Sequence, residues 1–139
     1  MSVRNAKAKW TGNLKDGKGV MNFSNYDGPF TFASRFESGE GTNPEELVGA
    51  AQAGCYSMFL SALISGEQLT VEGIETTAKV HLGKDDIGPV ITTIELDSLV
   101  KCPGLSQSKF EELAQMAKEK CPISRLYKGT ETKLNAKLL

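Results

Sequence analysis

Residues 42–64 constrain this chain more than any other stretch. They open with Thr42-Asn43-Pro44-Glu45-Glu46 and continue through small and apolar side chains to Leu63 and Ile64. The pattern predicts one long helix. Asn43 carries a side-chain oxygen suited to capping, and Pro44 fits the first helical position, where its missing N–H is not needed. Glu45 and Glu46 place negative charge at the positive end of the helix dipole. Gly66 follows the last apolar residues and is expected to close the helix in the left-handed conformation. Gly49, Ala50, Ala51, Gln52, Ala53 and Gly54 are nearly all small, so a second helix can approach closely, and one sulfur, Cys55, follows them. Glu45 and Cys55 are 10 residues apart (55 − 45), which is ~15 Å along one axis. They cannot touch within one straight helix. Two copies crossing antiparallel near Ala50 and Ala51 bring Glu45 of one beside Cys55 of the other, an isologous contact of the kind that builds homodimers.

The length of 139 residues suits a single domain, and a dimer would enlarge the core it can bury. A hydrophobic share of 40%, a charged share of 24% and a net charge of −1 describe an ordinary soluble protein. No basic excess points to nucleic acid and no polybasic run points to a membrane. The opening Met1-Ser2-Val3-Arg4 lacks the apolar stretch of a signal peptide, and no apolar run is expected to reach the length of a bilayer span. The expected location is the cytoplasm. Three cysteines, Cys55, Cys102 and Cys121, are an odd number for a disulfide framework, and with His81 as the single histidine they do not make a zinc site. They raise instead the question of reactive thiols.

Alternation over Lys7-Ala8-Lys9-Trp10-Thr11 predicts a strand with one wet face. Val20-Met21-Asn22-Phe23 reads as a second strand, residues 25–29 as a turn, and Phe30-Thr31-Phe32-Ala33 as a third strand. The first third is thus an antiparallel meander. Residues 73–82 and 90–100 alternate and are rich in β-branched side chains, as strands are. Ser108 with Glu111 fits a capping box for a second helix, with Ser106 as the alternative cap. Phe110, Leu113, Ala114 and Ala117 form its apolar stripe, which Cys121 extends before Pro122 breaks or restarts the helix. Residues 130–138 form a last strand. The order βββ-α-ββ-α-β is an α+β domain.

Four residues stand out for chemistry. Cys55 alone reads as a small buried hydrophobe, and it becomes a nucleophile only if a positive charge stabilises its thiolate. Cys121 ends an amphipathic helix and also reads as core. The two sulfurs can pair only if their helices pack together, which spacing does not decide. Arg35 reads either as a solvated edge residue or as a guanidinium aimed at a thiolate. Glu45 serves the helix dipole or holds that guanidinium through its planar donor fork. Cys102, in a turn before Pro103, reads as incidental, and His81 as a strand residue on a wet face.

Arg35-Phe36-Glu37, then Gly41-Thr42-Asn43-Pro44-Glu45-Glu46-Leu47-Val48-Gly49-Ala50-Ala51, Cys55-Tyr56-Ser57-Met58 and the distant Lys120-Cys121-Pro122-Ile123-Ser124 together resemble the OsmC branch of the OsmC/Ohr family. The resemblance extends over essentially the whole chain, 1–139, and includes the element order. The related Ohr branch takes its active-site arginine from an early loop. Here that loop, Lys15-Asp16-Gly17-Lys18, has none, and Arg35 matches the OsmC position. Gln52 and Gly54 stand where relatives often carry histidine and alanine.

The resemblance implies an OsmC-like fold: an intertwined homodimer with central helices flanked by antiparallel sheets and two active sites at the interface. It also implies a cysteine-based peroxidase for organic hydroperoxides, weaker on hydrogen peroxide, working in oxidative and osmotic stress defence. Cys55 is then the peroxidatic thiol and Cys121 the resolving thiol. Arg35 stabilises thiolate and alkoxide, and Glu45 orients Arg35. No cofactor or metal is implied. The reductant is an external dithiol, with a lipoyl protein as one form of it. Two rivals remain at this point. A thiol acyltransferase or hydrolase would want a histidine base beside Cys55, and a non-catalytic module would bind a hydrophobic ligand in the dimer pocket.

Overall fold

Lys7–Thr11 (β1), Lys18–Phe23 (β2) and Tyr26–Phe30 (β3) form an antiparallel sheet in the order β1-β2-β3 in a computed structural model that describes Met1–Leu139. They belong to the first of two compact units, Met1–Leu47. Gly19 is paired with Trp10 on one side and Phe30 on the other. A Cβ at Gly19 would stand 2.6 Å from the Phe30 ring and 2.8 Å from Trp10, so only glycine lets the two rings meet, with centroids 5.4 Å apart.

The third strand lies earlier than the sequence pattern predicts. Phe23 pairs with Tyr26, so the reversal uses Ser24 and Asn25 alone, with Ser24 left-handed at φ 49. Two-residue hairpin loops need this positive φ to match the twist of their strands. Pro29, expected in a turn, sits in β3, an edge strand where its missing N–H leaves no ladder bond unmade. Phe32 and Ala33, expected in a strand, open a short helix, Phe32–Phe36 (α1). A capping box starts it: Ser34 N–H donates to Thr31 Oγ1 at 3.1 Å and Thr31 N–H to Ser34 Oγ at 2.8 Å.

Pro44–Ser65 (α2) is the predicted long helix, and Asn43 Oδ1 caps it by accepting from Glu46 N–H at 2.8 Å. Its end differs from expectation. Glu67 N–H bonds Ile64 O and Gln68 N–H bonds Ser65 O, and the left-handed residue is Gln68, φ 63, rather than Gly66. An 18-residue window of this 22-residue helix has a mean hydropathy of 1.5, enough by length and composition for a membrane span, contrary to the expectation that no run does.

In the second unit, Val48–Leu139, Gln52, Tyr56, Leu60 and Ile64 line the buried face of α2. Gly73–Lys84 (β4) and Pro89–Lys101 (β5) pair antiparallel, with a bulge between His81 and Leu82. Gln107–Lys120 (α3) is capped by Ser106, which accepts from Lys109 N–H. Pro122 does not merely end α3; it takes the first position of a further short helix, Pro122–Leu126 (α4). Glu131–Leu138 (β6) then returns beside β5 in parallel. This sheet, β4-β5-β6, is therefore mixed, not antiparallel as expected. The α3–α4 passage carries the chain back over the sheet, as a parallel neighbour requires. The class remains α+β, in the order βββ-αα-ββ-αα-β. Tyr56, Leu60, Ile64, Leu96, Val100, Phe110, Ala117 and Cys121 are fully buried together. Each large aliphatic or aromatic side chain among them contributes about 1.5–3 kcal/mol.

Candidate active site

Arg35 and Glu45 form an ion pair within the first unit. Arg35 sits in α1 because the Thr31–Ser34 capping box starts that helix, and Glu45 is in the first turn of α2 because Asn43 and Pro44 begin it. Arg35 Nη2 lies 2.6 Å from Glu45 Oε1 and Nε lies 3.1 Å from Oε2, a bidentate fork. The Glu45 side chain is only 13% exposed, so water competes weakly for it. The guanidinium carbon stands 5.1 Å from the Phe36 ring centre. The fork uses Nε and Nη2, leaving the Nη1 donors uncommitted to Glu45. Arg35 also lines a cleft of ≈ 300 Å³ together with Trp10, Phe30, Phe32 and Phe36.

Cys55 and Cys121 meet in the second unit. Cys55 is on α2 and half-buried; Cys121 is fully buried and links α3 to α4. The Cys121 thiol is near enough to the Cys55 sulfur to raise its pKa, and both are free thiols. Cys121 is itself the cap of α4: its sulfur accepts from Ser124 N–H at 3.3 Å and donates to Ser124 Oγ at 3.0 Å. Burial pushes the Cys55 thiol above the usual cysteine range, the Ile123 N–H pulls it back, and the Cys121 thiol raises it further. Within this unit, burial therefore works against the Cys55 thiolate.

Two residues to which the sequence gives no role link Cys121 to α2. Ser124 lies three residues after Cys121, the spacing between a cap and the N–H it binds. Gln52 is wholly buried, and its Nε2 donates to Ser124 Oγ at 3.2 Å and to Thr132 Oγ1 at 3.1 Å. No periodicity marks Gln52 out, because it occupies a core position of α2. Cys102 is buried rather than exposed in a surface turn, and its thiol donates to Thr70 O at 3.4 Å. His81 is exposed and pairs with Glu95 at 2.7 Å, so it supplies no base for acyl transfer.

The OsmC-like protein model matches residues 37–136. The chain belongs to the OsmC-like protein family. It is 42% identical over 132 residues to peroxiredoxin OsmC of Escherichia coli K12, covering 93% of this chain and 92% of that one. The crystal structure of the organic hydroperoxide resistance protein OhrB of Bacillus subtilis, 27% identical, superposes with a TM-score of 0.71 over 96% of this chain and 98% of that one. The fold is shared more widely: an OsmC-like protein from Mycoplasma pneumoniae reaches a TM-score of 0.81 at 13% identity, over 99% of this chain and 98% of that one.

Proposed function

We propose that this cysteine-based peroxidase of the OsmC-like family reduces organic hydroperoxides to alcohols through a Cys55 sulfenic acid and a Cys55–Cys121 disulfide. The observation that carries this reading is the meeting of the two free thiols. Similarity to a peroxiredoxin and to an organic hydroperoxide resistance protein supports the substrate class.

The Cys55 thiolate attacks the distal peroxide oxygen, the O–O bond breaks, and the alkoxide leaves as alcohol once protonated. Cys55 is left as a sulfenic acid. Arg35 lowers the energy of thiolate and departing alkoxide as a preorganised cation, and Glu45 fixes its orientation. The bidentate fork and the uncommitted Nη1 donors support these roles. Cys121 condenses with the sulfenic acid and releases water. An external dithiol, for which a lipoyl group is chemically suited, returns both thiols.

The working form is a homodimer. Ala50, Ala51, Gly54, Met58 and Ala62 make an exposed apolar stripe along α2, and Met58 is 79% exposed. A second copy crossing there would cover it. Free thiols throughout suit a reducing cytoplasm, where the enzyme would serve oxidative and osmotic stress defence.

Titration of the reduced protein with cumene hydroperoxide tests the chemistry. The expected result is loss of two thiols and gain of one disulfide. Cys55→Ser abolishes turnover, whereas Cys121→Ser consumes about one equivalent and then stalls or over-oxidises. Full activity in Cys55→Ser overturns the assignment.

A further inference from the structure

Two hydrogen bonds converge on Ser124 Oγ, one from the Cys121 thiol at 3.0 Å and one from Gln52 Nε2 at 3.2 Å. A hydroxyl oxygen has two lone pairs and one hydrogen. Both lone pairs are engaged, so the Ser124 hydrogen is left to donate to a further acceptor. The oxygen thus takes up a hydrogen bond from one reacting sulfur while its own hydrogen remains available. Gln52 is 0% exposed, so water does not exchange with it, and its second acceptor, Thr132 Oγ1, holds the amide in place. Gln52 lies three residues before Cys55 on α2, so both project from one face, with Cβ atoms ~5–6 Å apart. A buried amide therefore ties Ser124 to the helix that carries the other sulfur.

We infer that Ser124 relays the proton of the disulfide-forming step and that Gln52 is the positioning residue that fixes Ser124 for it. This rests on the reading that Cys55 passes through a sulfenic acid. The Cys121 sulfur bonds to the Cys55 sulfur, and the S–O bond of the sulfenic acid breaks with its electron pair going to oxygen. The Cys121 proton moves to Ser124 Oγ as the Ser124 hydrogen moves to the departing oxygen, which leaves as water. The Cys121 sulfur is oxidised, the sulfenic sulfur is reduced, and no further reactant is needed. The relay matters because Cys121 is fully buried, so bulk water does not reach its thiol to take the proton.

The test is rapid mixing of the reduced full-length protein with one equivalent of cumene hydroperoxide. Sulfenic acid is read by dimedone trapping and mass spectrometry, and disulfide by thiol count. In Ser124→Ala the disulfide step slows by roughly tenfold or more relative to the sulfenic step. It also loses the slowing in D2O that the relay gives the wild type. Ser124→Thr restores both the rate and the isotope effect. Gln52→Leu gives a smaller loss of rate with a reduced isotope effect, which a merely structural role would not produce. The wild-type disulfide step runs slower in D2O than in H2O; absence of that difference overturns the relay even if Ser124→Ala does not fold. A Ser124→Ala protein that closes its disulfide at the wild-type rate and with the wild-type isotope effect also overturns it, and leaves the peroxidase reading standing. If the wild type forms no sulfenic acid, both fall together.

Discussion

Arg35 Nη2 lies 2.6 Å from Glu45 Oε1 while Nε lies 3.1 Å from Oε2, so one carboxylate holds the guanidinium at two points. A lysine is a point charge and cannot span both oxygens. For Arg35→Lys we expect kcat/KM for cumene hydroperoxide to fall by about tenfold or more, equivalent to about 1.4 kcal/mol of transition-state stabilisation. Glu45→Gln, which keeps the shape but removes the charge, is expected to lie between Arg35→Lys and the wild type. Steady-state assays with dithiol in excess measure both. Unchanged kinetics in Arg35→Lys would show that charge alone is enough.

The acidity of Cys55 gives a second prediction. Its own unit raises the thiol pKa, through burial first. Below that pKa the sulfur is a thiol and unreactive, so the rate of sulfenic acid formation rises with pH as the group ionises. If Arg35 stabilises the thiolate, Arg35→Gln moves this rise to higher pH. Superimposable pH profiles for the two proteins remove Arg35 from the role.

Stability should fall at alkaline pH. Burial raises the acidic groups of Cys55, Tyr56 and Tyr127 above their ordinary values. Each binds its proton more tightly folded than unfolded, so its contribution is complete below the unfolded pKa and is lost as pH rises through the folded pKa. The window therefore opens near the ordinary thiol and phenol values and extends upward. Tyr56→Phe should flatten the upper part of this loss. Its hydroxyl is buried without a partner, so at neutral pH the substitution should change stability by no more than about 1 kcal/mol in either direction. Urea unfolding at several pH values checks both.

Two glycines of α2 should respond oppositely to alanine. A Cβ at Gly49 would lie 2.9 Å from Val80 Cγ2 and 3.2 Å from Ala78 Cβ, whereas one at Gly54 finds nothing within 4 Å. Gly49→Ala is expected to destabilise by about 1–3 kcal/mol through overpacking. Gly54→Ala should not clash within the chain and should gain about 0.5–1 kcal/mol of helix propensity. Thermal or urea unfolding of the two variants measures the difference. Gly54→Arg, on the exposed stripe, should convert a dimer to a monomer by light scattering; a persistent dimer would place the interface elsewhere.

The candidate site is legible in the sequence only in parts. Glu45 and Arg35 are legible as a carboxylate with a matching fork, because Asn43 and Pro44 start a helix at a definite residue. The ion pair in the structure gives that match its geometry. The Cys121–Ser124 bond is encoded in the cap spacing, but a cysteine is an unusual cap and the spacing does not advertise itself. Gln52 shows in the sequence only as a departure from the histidine that relatives often carry, and its role is hidden because its partners are 72 and 80 residues away.

The chain by itself determined its class, its long helix, the meander and the two central strands. Periodicity, caps and β-branching act over a few residues and compete with little else. Tertiary structure decided where local signals conflicted or were silent. Pro29 reads as a turn until an edge strand tolerates its missing N–H, and β6 reads as one more strand until the α3–α4 passage sets it parallel to β5. The same holds for the thiols. Local sequence makes Cys55 and Cys121 two core residues on separate helices. Only packing, which acts on residues distant in the chain, brings one sulfur close enough to the other to perturb its acidity.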